Sequence, residues 1–143
     1  MFISALELKL IEKMSKHIYD TCNCVDIAIT DIDIEEARQN LIDSNETTKS
    51  DFCIALNTLY YCYSVMLTEI RNKRRVIMSA VFEQNPKLSQ EKSVLKEKLY
   101  AIPEYSDIYH KEELLFNFLE HLENIKNSIS YLYKEDEIEE YAE

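Results

Sequence analysis

From Ser50 to about Glu83, the positions Phe52, Leu56, Leu59, Tyr63, Met66, Ile70, Lys73, Ile77 and Ala80 follow one another at alternating steps of four and three residues. That rhythm belongs to a helix with a single seam, and only Lys73 interrupts its apolar run. Ser50 suits an N-cap. Asn85-Pro86 closes the segment, because proline disfavours helix in the residue before it and has no amide to donate. The pattern predicts one helix of about 35 residues, roughly 50 Å long at 1.5 Å per residue. A helix of that length needs a hairpin, a bundle or an oligomer to cover its stripe.

A second seam of the same rhythm runs through Ile108, Lys111, Leu115, Phe118, Leu122, Ile125, Ile129 and Leu132, again with a single lysine. Between the two, Leu88, Leu95, Leu99 and Ile102 mark a shorter helix, capped at Ser89 and stopped before Pro103. Pro103-Glu104-Tyr105 then reads as the turn into the last helix, with Ser106 as its cap. This order allows the long helices to fold back antiparallel, seam to seam. Upstream, Ala5 to about Asp20 is amphipathic, with Leu6, Leu10, Met14 and Ile18 on one stripe. Residues 22–32 are ambiguous: Val25, Ile27, Ile29 and Ile32 suit a short strand, yet no partner strand is visible. Asp33 with Glu36 forms a capping box for a helix to about Ile42, and the Ser-, Asn- and Thr-rich stretch from Ser44 to Lys49 is the linker candidate.

Composition sharpens this picture. The 143 residues contain no Gly and only 2 Pro, so positive-φ turns and phosphate-cradling loops have no inexpensive backbone. With 46% hydrophobic and 30% charged residues, the chain has enough apolar material to fold. The expectation is an all-α protein: a long helical hairpin or bundle with coiled-coil-like seams, oligomeric, divided into an N-terminal helical region (1–49), the hairpin (50–134) and an acidic tail (135–143). Charged residues interrupt every apolar run near the start, which argues against a signal peptide or a membrane span and for an intracellular protein, in the host cytoplasm if viral. Cys22, Cys24, Cys53 and Cys62 read as reduced, mostly buried thiols, since a domain of this size does not need disulfide staples.

Charge is unevenly spread within a net −11. Residues 51–102 carry 8 basic and 5 acidic groups, whereas residues 103–143 carry 3 and 12. The basic excess centres on Arg71, Lys73, Arg74 and Arg75. Arg71, Arg74 and Arg75 are spaced to share a helix face, where they would grip successive phosphates, with Lys73 on a neighbouring face. Tyr60, Tyr61 and Tyr63 lie a few turns earlier as a possible stacking platform. The competing reading pairs these cations with acids on the neighbouring C-terminal helix, and packs the tyrosines into a core. The tail, with Glu135, Ile138 and Tyr141, is either a solvating end or a partner-docking peptide. Cys22-Asn23-Cys24 beside His17 lacks the spacing of a zinc knuckle, and Asp26, Asp31 and Asp33 lack the glycine turn of a calcium loop. No nucleophile, zincin or phosphate-loop motif is present, so neither catalysis nor a cofactor is expected.

The order of these features resembles a family. A long helix with the basic run Glu69-Ile70-Arg71-Asn72-Lys73-Arg74-Arg75, a short Lys-rich helix from Ser89 to Leu99, and Ala101-Ile102-Pro103-Glu104-Tyr105 leading into a final helix look like the UvsY-type recombination mediators of T-even-like phages. The resemblance spans about residues 50–134. It implies a non-enzymatic, homo-oligomeric accessory protein that binds single-stranded DNA and helps to load a recombinase. On that reading Arg71, Lys73, Arg74 and Arg75 contact the DNA. The alternative is an acidic protein-interaction module, a viral structural subunit or a DNA mimic that occupies a basic protein, working through Glu135, Ile138 and Tyr141.

Overall fold

The structure, a computed structural model, describes residues 1–22, 31–84 and 92–142, with the side chains of 31–32, 92–95 and 130–142 outside the description. The described residues form α1 (Ala5–Cys22), α2 (Asp31–Ser44), α3 (Lys49–Gln84), α4 (Lys92–Tyr100) and α5 (Pro103–Ala142). None of them adopts positive φ, as a chain without glycine leads one to expect. The protein is all-α.

The two long helices lie antiparallel. Tyr63 meets Phe118, whereas Arg71 and Arg74, further along α3, meet Glu112, further back on α5. From Phe52 to Ile70 on α3 and from Ile108 to Ile129 on α5 the seams are thereby covered within one chain. Phe52, Leu59, Tyr63, Met66 and Ile70 of α3 and Leu115, Phe118 and Leu122 of α5 are completely shielded from solvent. α2 packs on α3, α1 on α5, and α1 on α2, so four helices close into a square bundle around one core. Residues 1–22 and 31–49 belong to that same core through Ile3, Ile11, Ile18, Ile34, Ala37 and Leu41.

Because α1 and α2 are short, they sheathe only one half of the α3–α5 pair. The other half carries a smaller cluster, Val81, Leu99 and Tyr105, with Ile77, Met78, Ile102 and Tyr109 packed on it and α4 as the cover. The molecule thus has a bundle end and an α4 end. The clustered Arg71, Lys73, Arg74 and Arg75 of α3 sit where the first gives way to the second.

Several local expectations are corrected. On α1 the buried stripe is Ile11, Ser15, Ile18 and Cys22, while Leu6 is 82% exposed and Leu10 is exposed too. α2 starts at Asp31, two residues before the anticipated Asp33 cap. Thr48, not Ser50, caps α3: its Oγ1 accepts the Asp51 amide at 3.1 Å. Pro103 begins α5 instead of leading into it, because the first turn of a helix leaves its amides unpaired and proline has none to waste. Ser106 is already inside, its amide bonded to the Ile102 carbonyl at 3.1 Å. The cap proposed at Ser89 lies outside the described residues; of the ambiguous stretch 22–32, Cys22 ends α1, residues 31–32 begin α2, and residues 23–30 lie outside the described residues. Replacing Thr48 by Ala is expected to cost about 1 kcal/mol, and Ser50 by Ala less than about 0.5, in paired urea melts.

The stretch from Ser44 to Lys49, expected to be a linker, pins the N-terminus. Asn45 is buried; its Oδ1 accepts the Phe2 and Ile3 amides at 3.2 and 3.0 Å, and its Nδ2 donates to the Ile3 carbonyl at 3.1 Å. A satisfied buried amide of this kind holds the start of α1 against the α2–α3 turn and brings the Phe2 ring within 5.5 Å of Phe52.

Candidate nucleic-acid interface

The seam of α3 changes course at Ile70, and the site follows from that change. Relative to Ile70, Lys73 lies about 60° to one side of the helix and Arg74 about 40° to the other, at 3.6 residues per turn. α5 lies on the Arg74 side. Contact therefore passes from Ile70 to Arg74, then to Ile77, Met78 and Val81, while Lys73 and Ala80 of the seven-residue pattern are exposed. The lysine anticipated within the seam stands outside it.

Glu112, from α5, organises the arginines. Arg71 Nε donates to its Oε1 at 3.1 Å, Arg74 Nη2 donates to the same oxygen at 3.2 Å, and Arg74 Nε pairs with Oε2. The Glu112 side chain is only 12% exposed, against 41% for Arg71. Burial works against the charge on Arg74, but the hydrogen bonds it donates to Tyr105 and Glu112 and the nearby carboxylate together raise its pKa above the ordinary guanidinium value. Arg71 also lies 6.0 Å from the centre of the Phe116 ring, itself 50% exposed.

The four predicted contact residues are thus divided. Arg71 and Arg74 turn onto α5, Arg71 remaining partly open to solvent, and Lys73 and Arg75 are exposed. Lys96 and Lys98 are exposed on α4 at the same end of the molecule. The tyrosines expected to form a stacking platform do not act together: Tyr63 is fully buried, Tyr60 is half-buried and Tyr61 is exposed. Glu135, Ile138 and Tyr141 fall on the last part of α5, and their side chains lie outside the described ones.

Tyr63 instead anchors a buried polar network at the bundle end. Its hydroxyl donates to the Ser15 carbonyl at 3.0 Å and is hydrogen-bonded to Ser15 Oγ, which accepts Arg38 Nε at 3.1 Å. Burial pushes the Tyr63 pKa up, and the hydrogen bonds from Ser15 and Arg38 offset part of the rise. Such a network joins α1, α2 and α3 in one register, since a shift would leave three buried polar groups unpaired. Burial likewise raises the pKa of the Cys62 thiol; Cys53 and Cys62 are free thiols, Cys22 is buried, and Cys24 lies outside the described residues. Among the described residues no group of three or more His, Cys, Asp or Glu comes together as a metal site, and no helix is long and apolar enough to cross a membrane. A polar groove of about 580 Å³ runs between α1 and α2, lined by Glu12, Lys16, Glu35, Glu36 and Gln39 among others.

No family model, no curated protein and no solved structure matches the chain.

Residue-level reasoning about the chain passed over Glu112 and Phe116, the two side chains that set the arginines' positions. Each stands beside a seam residue, Glu112 after Lys111 and Phe116 after Leu115. That adjacency was the available signal. Only the antiparallel pairing, however, brings both to Arg71.

Proposed function

We propose that this chain is a non-enzymatic helical accessory protein of phage-type DNA recombination or replication, and that it binds single-stranded DNA through the basic face at the α4 end. The observation that carries the reading is the set of cations kept at the surface there: Lys73 and Arg75 on α3, the partly open Arg71, and Lys96 and Lys98 on α4. Exposed cations spread over two neighbouring helices suit a flexible polyanion better than they suit a small substrate. The resemblance of its order of features to UvsY-type recombination mediators points to the same role. On this reading its partners are further copies of itself and a recombinase, with solution mass as the measure of self-association.

Arg71 and Arg74 hold the fold together through Glu112, so reversing their charge would confound binding with stability. The informative variant is Lys73→Glu with Arg75→Glu, both exposed. Binding of a short single-stranded oligonucleotide is expected to weaken steeply between about 50 and 200 mM salt, and the double reversal to lower affinity at least tenfold with a shallower salt slope. Absent or salt-independent binding of the unaltered protein at low ionic strength refutes the reading.

One observation favours a second reading. Glu112 takes up two of the three clustered arginines, which moves the balance of the surface toward acid, as expected of a protein-interaction module that presents carboxylates to a basic partner. Truncation after Lys134 would then abolish partner capture, while reversal of Lys73 and Arg75 would leave it intact.

A further inference from the structure

Phe116 has no part in the seam. It stands between Leu115 and Phe118, points away from the core and is half exposed, so packing does not account for it. Its surroundings distinguish it from an isolated surface aromatic. The Arg71 guanidinium sits 6.0 Å from its ring centre, and beside the pair opens a cavity of about 220 Å³ bounded by Arg71, Tyr109, Glu112, Glu113 and Phe116. Tyr109 continues the row to Tyr100, with ring centres 5.6 Å apart and nearly perpendicular planes, and the Lys96 ammonium lies 5.9 Å from the Tyr100 ring centre. The result is three partly exposed rings near one cavity, with a cation on Tyr100 and another on Phe116, while the inner face of Tyr109 stacks on the buried Tyr105, ring centres 6.3 Å apart at 21°.

We infer that Tyr100, Tyr109 and Phe116, flanked by Lys96 and Arg71, form the surface on which unpaired bases of a single strand stack; this rests on the single-stranded DNA reading above. The chemistry fits that occupant in three respects. Ring faces accept any base without regard to sequence. The two cations lie where the phosphates of a strand threaded along the row would pass. The cavity is smaller than the roughly 300–1,000 Å³ of sites for drug-sized ligands, a scale that suits one planar ring entering between Tyr109 and Phe116. Glu113 opposes the phosphates from the cavity rim, so Glu113→Gln is expected to tighten binding about twofold.

The test uses the full chain and two labelled oligomers of equal length, an oligothymidylate and its abasic counterpart, which keeps the phosphates and lacks the bases. The unaltered protein is expected to prefer the oligothymidylate about tenfold. Phe116→Leu combined with Tyr109→Leu should remove that preference while leaving affinity for the abasic strand and the salt slope unchanged. Phe116→Tyr should retain the preference, and matching melting curves establish that each variant is folded. If the leucine pair at Tyr109 and Phe116 melts early, Phe116→Leu alone is read, with about a threefold loss of preference expected. Equal affinity of the unaltered protein for both oligomers overturns the stacking surface and leaves the phosphate-binding reading standing. So does a base preference that survives removal of the rings. Binding to neither oligomer removes the DNA reading and the stacking surface together.

Discussion

Phe118→Ala is expected to destabilise the protein by about 4 kcal/mol, the middle of the range for removing a buried phenyl ring. The Phe118 side chain is fully buried and meets Tyr63 edge-on, ring centres 5.1 Å apart at 81°. Its removal therefore forfeits burial, an aromatic contact and close packing at the centre of the four-helix square. Out of a total stability of the order of 5–15 kcal/mol, such a loss would be evident in a urea melt as a large fall in midpoint with little change in slope. Phe116→Leu, two residues away, is expected to shift stability by less than about 0.5 kcal/mol, because its ring is half exposed. Equal costs at the two positions would show that α5 does not present the face described.

The second large effect is at Glu112. Replacing it by Ala should cost about 2 kcal/mol and at the same time strengthen binding to single-stranded DNA. Removing one partner of a fully buried ion pair costs roughly 3–5 kcal/mol, since the remaining charge is left uncompensated. That figure is lowered here because the Arg71 side chain is 41% exposed and water screens it. Binding gains for the opposite reason: one carboxylate disappears and two guanidiniums become available to phosphate, so both affinity at low salt and the steepness of its salt dependence should rise. Urea melts and oligonucleotide titrations on the same preparation check both halves. A variant as stable as the unaltered protein, or one that binds DNA no better, would show that Glu112 does not restrain the arginines.

The two seams illustrate why some features are legible in the residues alone. Ile108, Leu115, Phe118, Leu122, Ile125 and Ile129 repeat at a fixed period and are all buried, because a seven-residue repeat stays close to one face of a straight helix over a few turns. On α3 the same repeat holds from Phe52 to Ile70, and beyond Ile70 periodicity alone could not choose between Lys73 and Arg74. The choice depended on which side α5 lay. α1 shows a similar ambiguity on a smaller scale. Leu6 and Leu10 make as good an apolar stripe as Ile11 and Ile18, and the neighbours α2 and α5 decided between them.

The candidate site was legible only in part. The basic run Arg71 to Arg75 stands out against an acidic chain. Its division into two arginines bound to Glu112 and two exposed cations is a product of pairing between residues some forty positions apart. The aromatic row is likewise assembled from α4 and α5, with its terminal cations supplied by α3 and α4.

Composition and period by themselves determine that this chain is helical, that two of its helices are long, and which residues of α5 face inward. Those properties depend on local backbone preference and on a repeat set by helix geometry, both carried within each segment. The closing of the square by α1 and α2, the passage of the α3 contact from Ile70 to Arg74, the clasp of Asn45 and the clamp of Glu112 were decided by tertiary structure alone. Each depends on which distant surface a given side chain meets, and no single segment encodes that.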